Sequence, residues 1–314
     1  MAGMIAVCRK ELADHLGSKR YIVLFALILS LSMLLAYQGA EYVRHNPRLG
    51  FMAAFSGAQF GFSFTAIMVL FGPIIGLSLS FDSINRERAS GTLSVILSQP
   101  IHRDSVINGK FLAGTIALSL LSTTTIGIMC GVTIFILGFG PTAEESIRIV
   151  IYALFTILYL AFWHALGLLY STATKKTSTS MLISVTTWLF FSIIIAIIAA
   201  LIAFLLVPAR IPVRAEGNIT QIIQSEEFKE SMRRRAQIQM NIQKLSPAYL
   251  YSEACNLILT SKPSGGFERP VRSLTLAESL LAIWPNVTAI IAALIFCFVA
   301  SYILFLRLEI RPER

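Results

Sequence analysis

The sequence predicts an all-α polytopic membrane protein, on three observations. The chain is 55% hydrophobic and only 14% charged, with a mean hydropathy of +0.72; a soluble domain carries roughly 25% charged residues. The apolar residues gather in blocks close to the ~20 residues that cross a bilayer, not in the short alternating segments of a membrane β-barrel. Lysine and arginine in the short loops fall mostly on one side of those blocks. The expected architecture is six transmembrane helices, an N-terminal amphipathic interfacial helix over 1–20, and a helical extracytoplasmic insertion at 208–282 between spans five and six.

The first element is amphipathic. Ile5, Cys8, Leu12 and Leu16 recur at helical spacing, while Arg9, Glu11 and Asp14 lie off that stripe. Such a helix is too charged to span and is expected in the membrane interface. Arg9, Lys10, Glu11 and Asp14 stand where the apolar core of a signal peptide would begin, so none is expected. The spans follow at about 21–37, 60–81, 111–139, 149–170, 181–207 and 284–306. Gly72-Pro73 inside the second reads as a kink, a hinge or close packing. Gly138, Gly140 and Pro141 end the third.

Orientation follows from the basic residues. Arg9, Lys10, Lys19, Arg20, Arg86, Arg88, Arg103, Lys110, Lys175, Lys176, Arg307, Arg311 and Arg314 share one side; Arg44, Arg48 and Arg148 occupy short loops on the other. The positive-inside rule makes the first side cytoplasmic, with both termini there, in the cell (plasma) membrane. The long insertion is assigned outside, because long loops cross regardless of charge. Within it, 218–245 reads as a helix with acids before bases, Ser246-Pro247 as a cap opening a second helix whose Tyr249, Leu250, Cys255, Leu257 and Ile258 face the membrane, and Thr275 with Glu278 as a capping box.

The net charge of +9 is explained by this topology and by lipid head groups, not by nucleic acid. Four cysteines, none in a CxxC, indicate neither disulfide framework nor zinc site. Asn218 and Asn286 begin sequons that read as chance matches, and Arg233-Arg234-Arg235 reads as a solvated face or an anion-binding patch. No catalytic constellation converges, so the chain reads as a non-enzyme. His164 in the fourth span and Thr123 in the Ser/Thr run of the third are candidates for a substrate path; helix packing competes as the explanation of both.

Between spans two and three, residues 82–110 carry charge, caps and turns. Asp82, Ser83 and Asn85 are candidate caps; Thr92, Leu93, Val95, Ile96 and Leu97 form a short half-apolar helix whose exposed face wants a partner's groove. Gly109-Lys110 is no phosphate loop, since Asp104 replaces its first glycine and Phe111 follows the lysine.

The run Arg86-Glu87-Arg88-Ala89-Ser90-Gly91-Thr92-Leu93, with Pro100, Arg103 and Gly109-Lys110 after it, resembles the signature loop of the type-two ABC transporter permeases. The last span and tail around Ser301, Arg307 and Arg311, and the stretch around Leu245, Pro247 and Ala254, resemble the same family. The resemblance covers essentially the whole chain, 1–314, as a single permease domain, and is nearest to the subgroup containing the nitrous-oxide-reductase maturation permease. It implies a membrane subunit of an exporter, paired with a second permease subunit as homo- or heterodimer. A separate cytoplasmic ABC ATPase would carry the ATP and Mg, leaving this chain without a cofactor or metal. It further implies that Arg86, Glu87, Arg88, Gly91, Thr92, Leu93, Pro100 and Arg103 couple to that ATPase, joined by the helix around Arg9, Lys10 and Glu11. An ATP-driven mechanical subunit acting on an extracytoplasmic partner, and a membrane enzyme with an outer-loop site, are the competing readings.

Overall fold

The computed structural model describes residues 2–46, 50–56, 63–207, 226–260 and 274–308. All of its regular elements among the described residues are helical: α1 (Ala2–Leu16), α2 (Lys19–His45), a 3-10 turn (Phe51–Phe55), α3 (Phe64–Ser78), α4 (Asn85–Ala89), α5 (Thr92–Ser98), α6 (Arg103–Leu137), α7 (Ala143–Ala173), α8 (Thr177–Leu206, with a π turn at Phe190–Ile194), α9 (Glu226–Gln243), α10 (Pro247–Thr260) and α11 (Leu276–Leu306). Five of these, α2, α6, α7, α8 and α11, are long and apolar enough to cross a membrane, and α3 is a shorter apolar helix. The first part of the helix expected over 218–245, up to residue 225, and the tail beyond Leu308 lie outside the described residues.

Local chemistry sets the element ends. Ser18 caps α2 through Tyr21, and Thr142–Glu145 and Thr275–Glu278 form capping boxes opening α7 and α11. Gly138, at φ +75°, closes α6. Helix α2 outruns the predicted span and runs on to His45, with Glu41 3.6 Å from Arg44 along its last turn. Beyond it, Phe51 and Phe55 turn back into the bundle, where both are 1% exposed. Their aromatic burial was hidden by the polar residues around them.

Helix α7 is the hub, packed against α3, α6, α10 and α11. Trp163, Tyr152 and Tyr159 are fully enclosed along it. Gly72 is a close-packing position: a Cβ there would lie 2.8 Å from Leu160. Pro73 remains within a continuous α3. The four cysteines are free.

Helix α10, within the insertion, packs into the bundle against α7 and α11. Tyr251 of α10 stacks on Tyr159 at a centroid distance of 4.2 Å, and its hydroxyl lies 2.9 Å from that of Thr156. Those α7 residues sit about 11–15 Å along the helix from Ile149. Ser246, one turn before Tyr251, donates to the Phe191 carbonyl. Phe191 is about 15 Å along α8 from Met181. Both contacts therefore place the α9–α10 turn alongside the middle of the long apolar helices α7 and α8. At the far end, Arg148 ties the hairpin down: its guanidinium donates to the carbonyls of Ile258 (3.1 Å) and Leu274 (3.0 Å), to Ser279 Oγ (3.2 Å) and to Glu144 (2.8 Å). Of the residues expected to face the membrane from α10, Cys255, Leu257 and Ile258 are buried in protein, while Tyr249 and Leu250 are half-buried.

Candidate functional site

The segment between α3 and α6 is built from two short helices joined at Gly91, whose φ of +73° is left-handed. Space around it is open, so the backbone conformation is what requires glycine there. The expected caps do not start α4. Asp82 instead pairs with Arg20 at 2.9 Å, and the amides of Ile84 and Asn85 donate to Ser171 Oγ at the end of α7, at 2.9 and 3.2 Å. Asn85 also reaches Thr174, at 2.9 Å. The cap arrives from a residue more than 80 positions away in the chain, which local spacing cannot reveal.

Glu87 points inward and is 8% exposed. Its Oε1 accepts from Lys110 Nζ at 2.8 Å and lies 3.8 Å from Lys10 Nζ. Lys110, 2% exposed, also pairs with Glu11 at 3.0 Å. Lys10 in turn meets Glu11 at 2.9 Å and Asp14 at 3.4 Å. Two lysines and two glutamates thus join α1, α4 and α6 in one chain of charge. For Glu11, burial pushes the carboxyl up, but Lys110 and Lys10 outweigh it and hold it below its ordinary range. For Lys10, burial works downward and the Glu11 hydrogen bond prevails, raising it. Burial lowers His15, whose other charged neighbours are Glu11, Lys110, Asp14 and Asp82.

Beneath this network lies an apolar cluster. Leu93, 2% exposed, packs with Val7, Ile84, Val106, Ile107, Leu168 and Phe305. So Leu93 turns α5 toward the cluster formed with α1, α6, α7 and α11, Ile96 is half-buried, and Val95, at 60%, stands out. The close approach of α1 to α6 falls at Gly109, where a Cβ would be 2.9 Å from Val7. Arg103 donates to the carbonyls of Leu306 (3.4 Å) and Leu308 (3.2 Å), closing the C-terminal end of α11.

The predicted coupling residues therefore divide. Glu87, Leu93, Glu11 and Arg103 hold elements together. Arg9, Lys10, Arg86, Gly91, Thr92 and Pro100 are exposed, and Arg88 is half-buried. Lys110, Asp82 and Ser171 were not singled out in this role. For Lys110 the available signal was a lone charge at the head of an otherwise apolar run.

The two path candidates are not brought together. Thr123 is exposed on α6, its hydroxyl bound to the Ser119 carbonyl at 2.7 Å. His164 is 1% exposed on α7, its ring filling the space over Gly114 and stacking 5.9 Å from Phe111. The backbone of Gly76 and Lys110 lies near that ring, yet neither nitrogen makes a hydrogen bond of normal geometry. Among the described residues no three His, Cys, Asp or Glu side chains gather as metal ligands.

A bundle with five helices long and apolar enough to cross a membrane, and a short two-helix segment bonded to it at one end, defines an α-helical multi-pass membrane protein. The profile described as "ABC-2 family transporter protein" matches residues 5–310, and the chain belongs to that family. It is similar to the probable ABC transporter permease protein NosY of Pseudomonas aeruginosa, 28% identical over 181 residues, covering 55% of this chain and 62% of the relative. It is also similar to the probable ABC transporter permease protein NosY of Stutzerimonas stutzeri, 29% identical over 124 residues, covering 40% and 42%. The matched stretches thus span less than two thirds of either relative's length.

Proposed function

We propose that this chain is the permease subunit of an exporter powered by a separate cytoplasmic ABC ATPase. It pairs with a second permease subunit, and ATP and Mg bind the ATPase. In this reading α2, α3, α6, α7, α8 and α11 are the six spans, both termini are cytoplasmic, and the plasma membrane is the site of action. The ATPase docks on the exposed side of the 82–110 segment: Arg86, Thr92, Val95 and Pro100, flanked by Arg9 and Lys10. Arg88 lies at the edge of that surface, and Gly91 sets its shape.

The observation that carries the reading is the two-sidedness of α4–α5. Its outer side is solvent-exposed, with Val95 60% uncovered. Its inner side is tied to α1, α6, α7 and α11 through Glu87, Leu93 and Ser171. A small helix so anchored passes rigid-body motion to the spans on either side. Glu87 and Leu93 then transmit force without touching the ATPase.

The test is co-purification with an ABC ATPase, together with ATP-dependent transport. Val95→Asp should abolish capture in a folded protein. Glu87→Gln should leave capture intact and lower ATP-driven conformational response. Retained capture and transport in Val95→Asp would refute the docking face.

A further inference from the structure

The re-entrant turn puts polar side chains where the lipid interior should be. Helix α9 packs along the second half of α8, with Arg235 at the level of Phe204 and Val207, its guanidinium over the Phe204 ring and bonded to the Val207 carbonyl. From there α9 descends to the Ser246–Phe191 bond. Asn241 and Lys244 consequently lie at the depth of α8 residues 191–198, well inside its apolar run. Both are exposed, as is Gln237 one turn above. Spacings of four and three put Gln237, Asn241 and Lys244 on one face, continued toward the far end by exposed Arg233 and by Arg234, which Glu230 holds at 2.9 Å. The neighbouring surface of α8 is of opposite character: Ile197, Leu201, Phe204 and Leu205 are 55–67% exposed.

A lysine near the bilayer midplane has few options. Lysines snorkel to head groups from helix ends, and the α9–α10 turn is about half a bilayer away from either surface. Turn backbone and charge at this depth persist only inside protein or along water. Lys244 is not covered by any part of this chain. The apolar face of α8 suits lipid or a second subunit, whereas the polar face of α9, with a lysine in it, suits water.

We propose that Gln237, Asn241 and Lys244 line a water-filled vestibule reaching from the outside to mid-membrane, and that Lys244 at its floor binds the anionic group of a solute or lipid, a phosphate or carboxylate. This rests on the topology of the permease reading, in which α9 enters from the extracytoplasmic side.

Cysteine labelling in intact cells and in proteoliposomes tests it. Wild type gives the baseline, its Cys8, Cys255 and Cys297 being buried. Asn241→Cys and Lys244→Cys are expected to react with a membrane-impermeant thiol reagent added outside; Leu205→Cys, on the apolar face of α8, is not. If Arg233→Cys reacts from outside but Asn241→Cys and Lys244→Cys do not, the vestibule is overturned and the topology stands. If Arg233→Cys reacts only from the cytoplasmic side, the topology itself fails. At Asn241→Cys an anionic sulfonate reagent should outpace a cationic one of equal size, and Lys244→Gln should cut that ratio about three- to tenfold. Inorganic phosphate that slows labelling identifies a soluble anion. Slowing seen only in phosphatidylglycerol vesicles, against phosphatidylcholine, identifies a head group. Protection by neither overturns the anion assignment.

Discussion

Lys110 holds Glu87 at 2.8 Å from the first turns of α6, and the same ammonium group holds Glu11 of α1 at 3.0 Å. One buried cation therefore keeps two carboxylates together that would otherwise repel. Removing one member of such a buried set leaves uncompensated charge, at a cost of about 3–5 kcal/mol. Lys110→Ala should destabilise the protein by that order, measured by denaturant unfolding in detergent or nanodiscs. A triple variant, Lys110→Met with Glu11→Gln and Glu87→Gln, should recover most of the loss, since no charge is stranded. A Lys110→Ala loss below about 1 kcal/mol would contradict the buried network.

Gly91 tests backbone geometry alone. A Cβ meets nothing within 4 Å there, so any penalty comes from φ, at about 1–2 kcal/mol for an ordinary L residue. Gly91→Val should speed amide exchange across 85–100, and Gly91→Asn should be far milder, because asparagine tolerates the left-handed region. Equal exchange in both variants would rule out the conformational requirement.

Acid should loosen α1 in two stages. His15 has its ordinary value of 6.5 lowered by burial, so its contribution is complete above about pH 6.5 and falls away as pH drops below it. Glu11 sits below its ordinary 4.5; its contribution persists above that value and is lost only at more acidic pH. Hydrogen exchange of residues 2–16 should show both steps, and His15→Leu should erase the first. A single step unchanged by His15→Leu would exclude the histidine.

Arg148 uses Nε, Nη1 and Nη2 at once. Arg148→Lys cannot reproduce that fork, so it should resemble Arg148→Ala, each costing about 2–3 kcal/mol from lost charged hydrogen bonds. Limited proteolysis of the α9–α10 region should accelerate in both variants. Full protection in Arg148→Lys would show that charge alone suffices.

Much of this was legible in the chain. The long helices, the N-terminal helix α1, the caps at Ser246 and Thr275 and the short helix beginning at Thr92 all follow from periodicity and end chemistry. What was not legible depended on distant partners. Glu87 lies between two arginines and reads as surface, until Lys110 is placed beside it. Helix α10 carries Glu253 and reads as external, yet Asn286 of α11 donates to that carboxylate at 3.0 Å within the bundle. Its descent follows from pairings such as Tyr251 with Thr156, across 95 residues. Hydropathy averages over neighbours in sequence and is blind to such pairs.

Helix α6 runs unbroken for 35 residues from Arg103 to Leu137, a rod about 52 Å long. Its foot is clamped beside the proposed docking face, and its tip lies at the opposite end of the molecule. A pivot of only about 5° at the foot would swing the tip by roughly 4–5 Å, comparable to one helical turn. Leverage on that scale lets a small thrust at one pole reshape the other, with no intervening joint needed to magnify it.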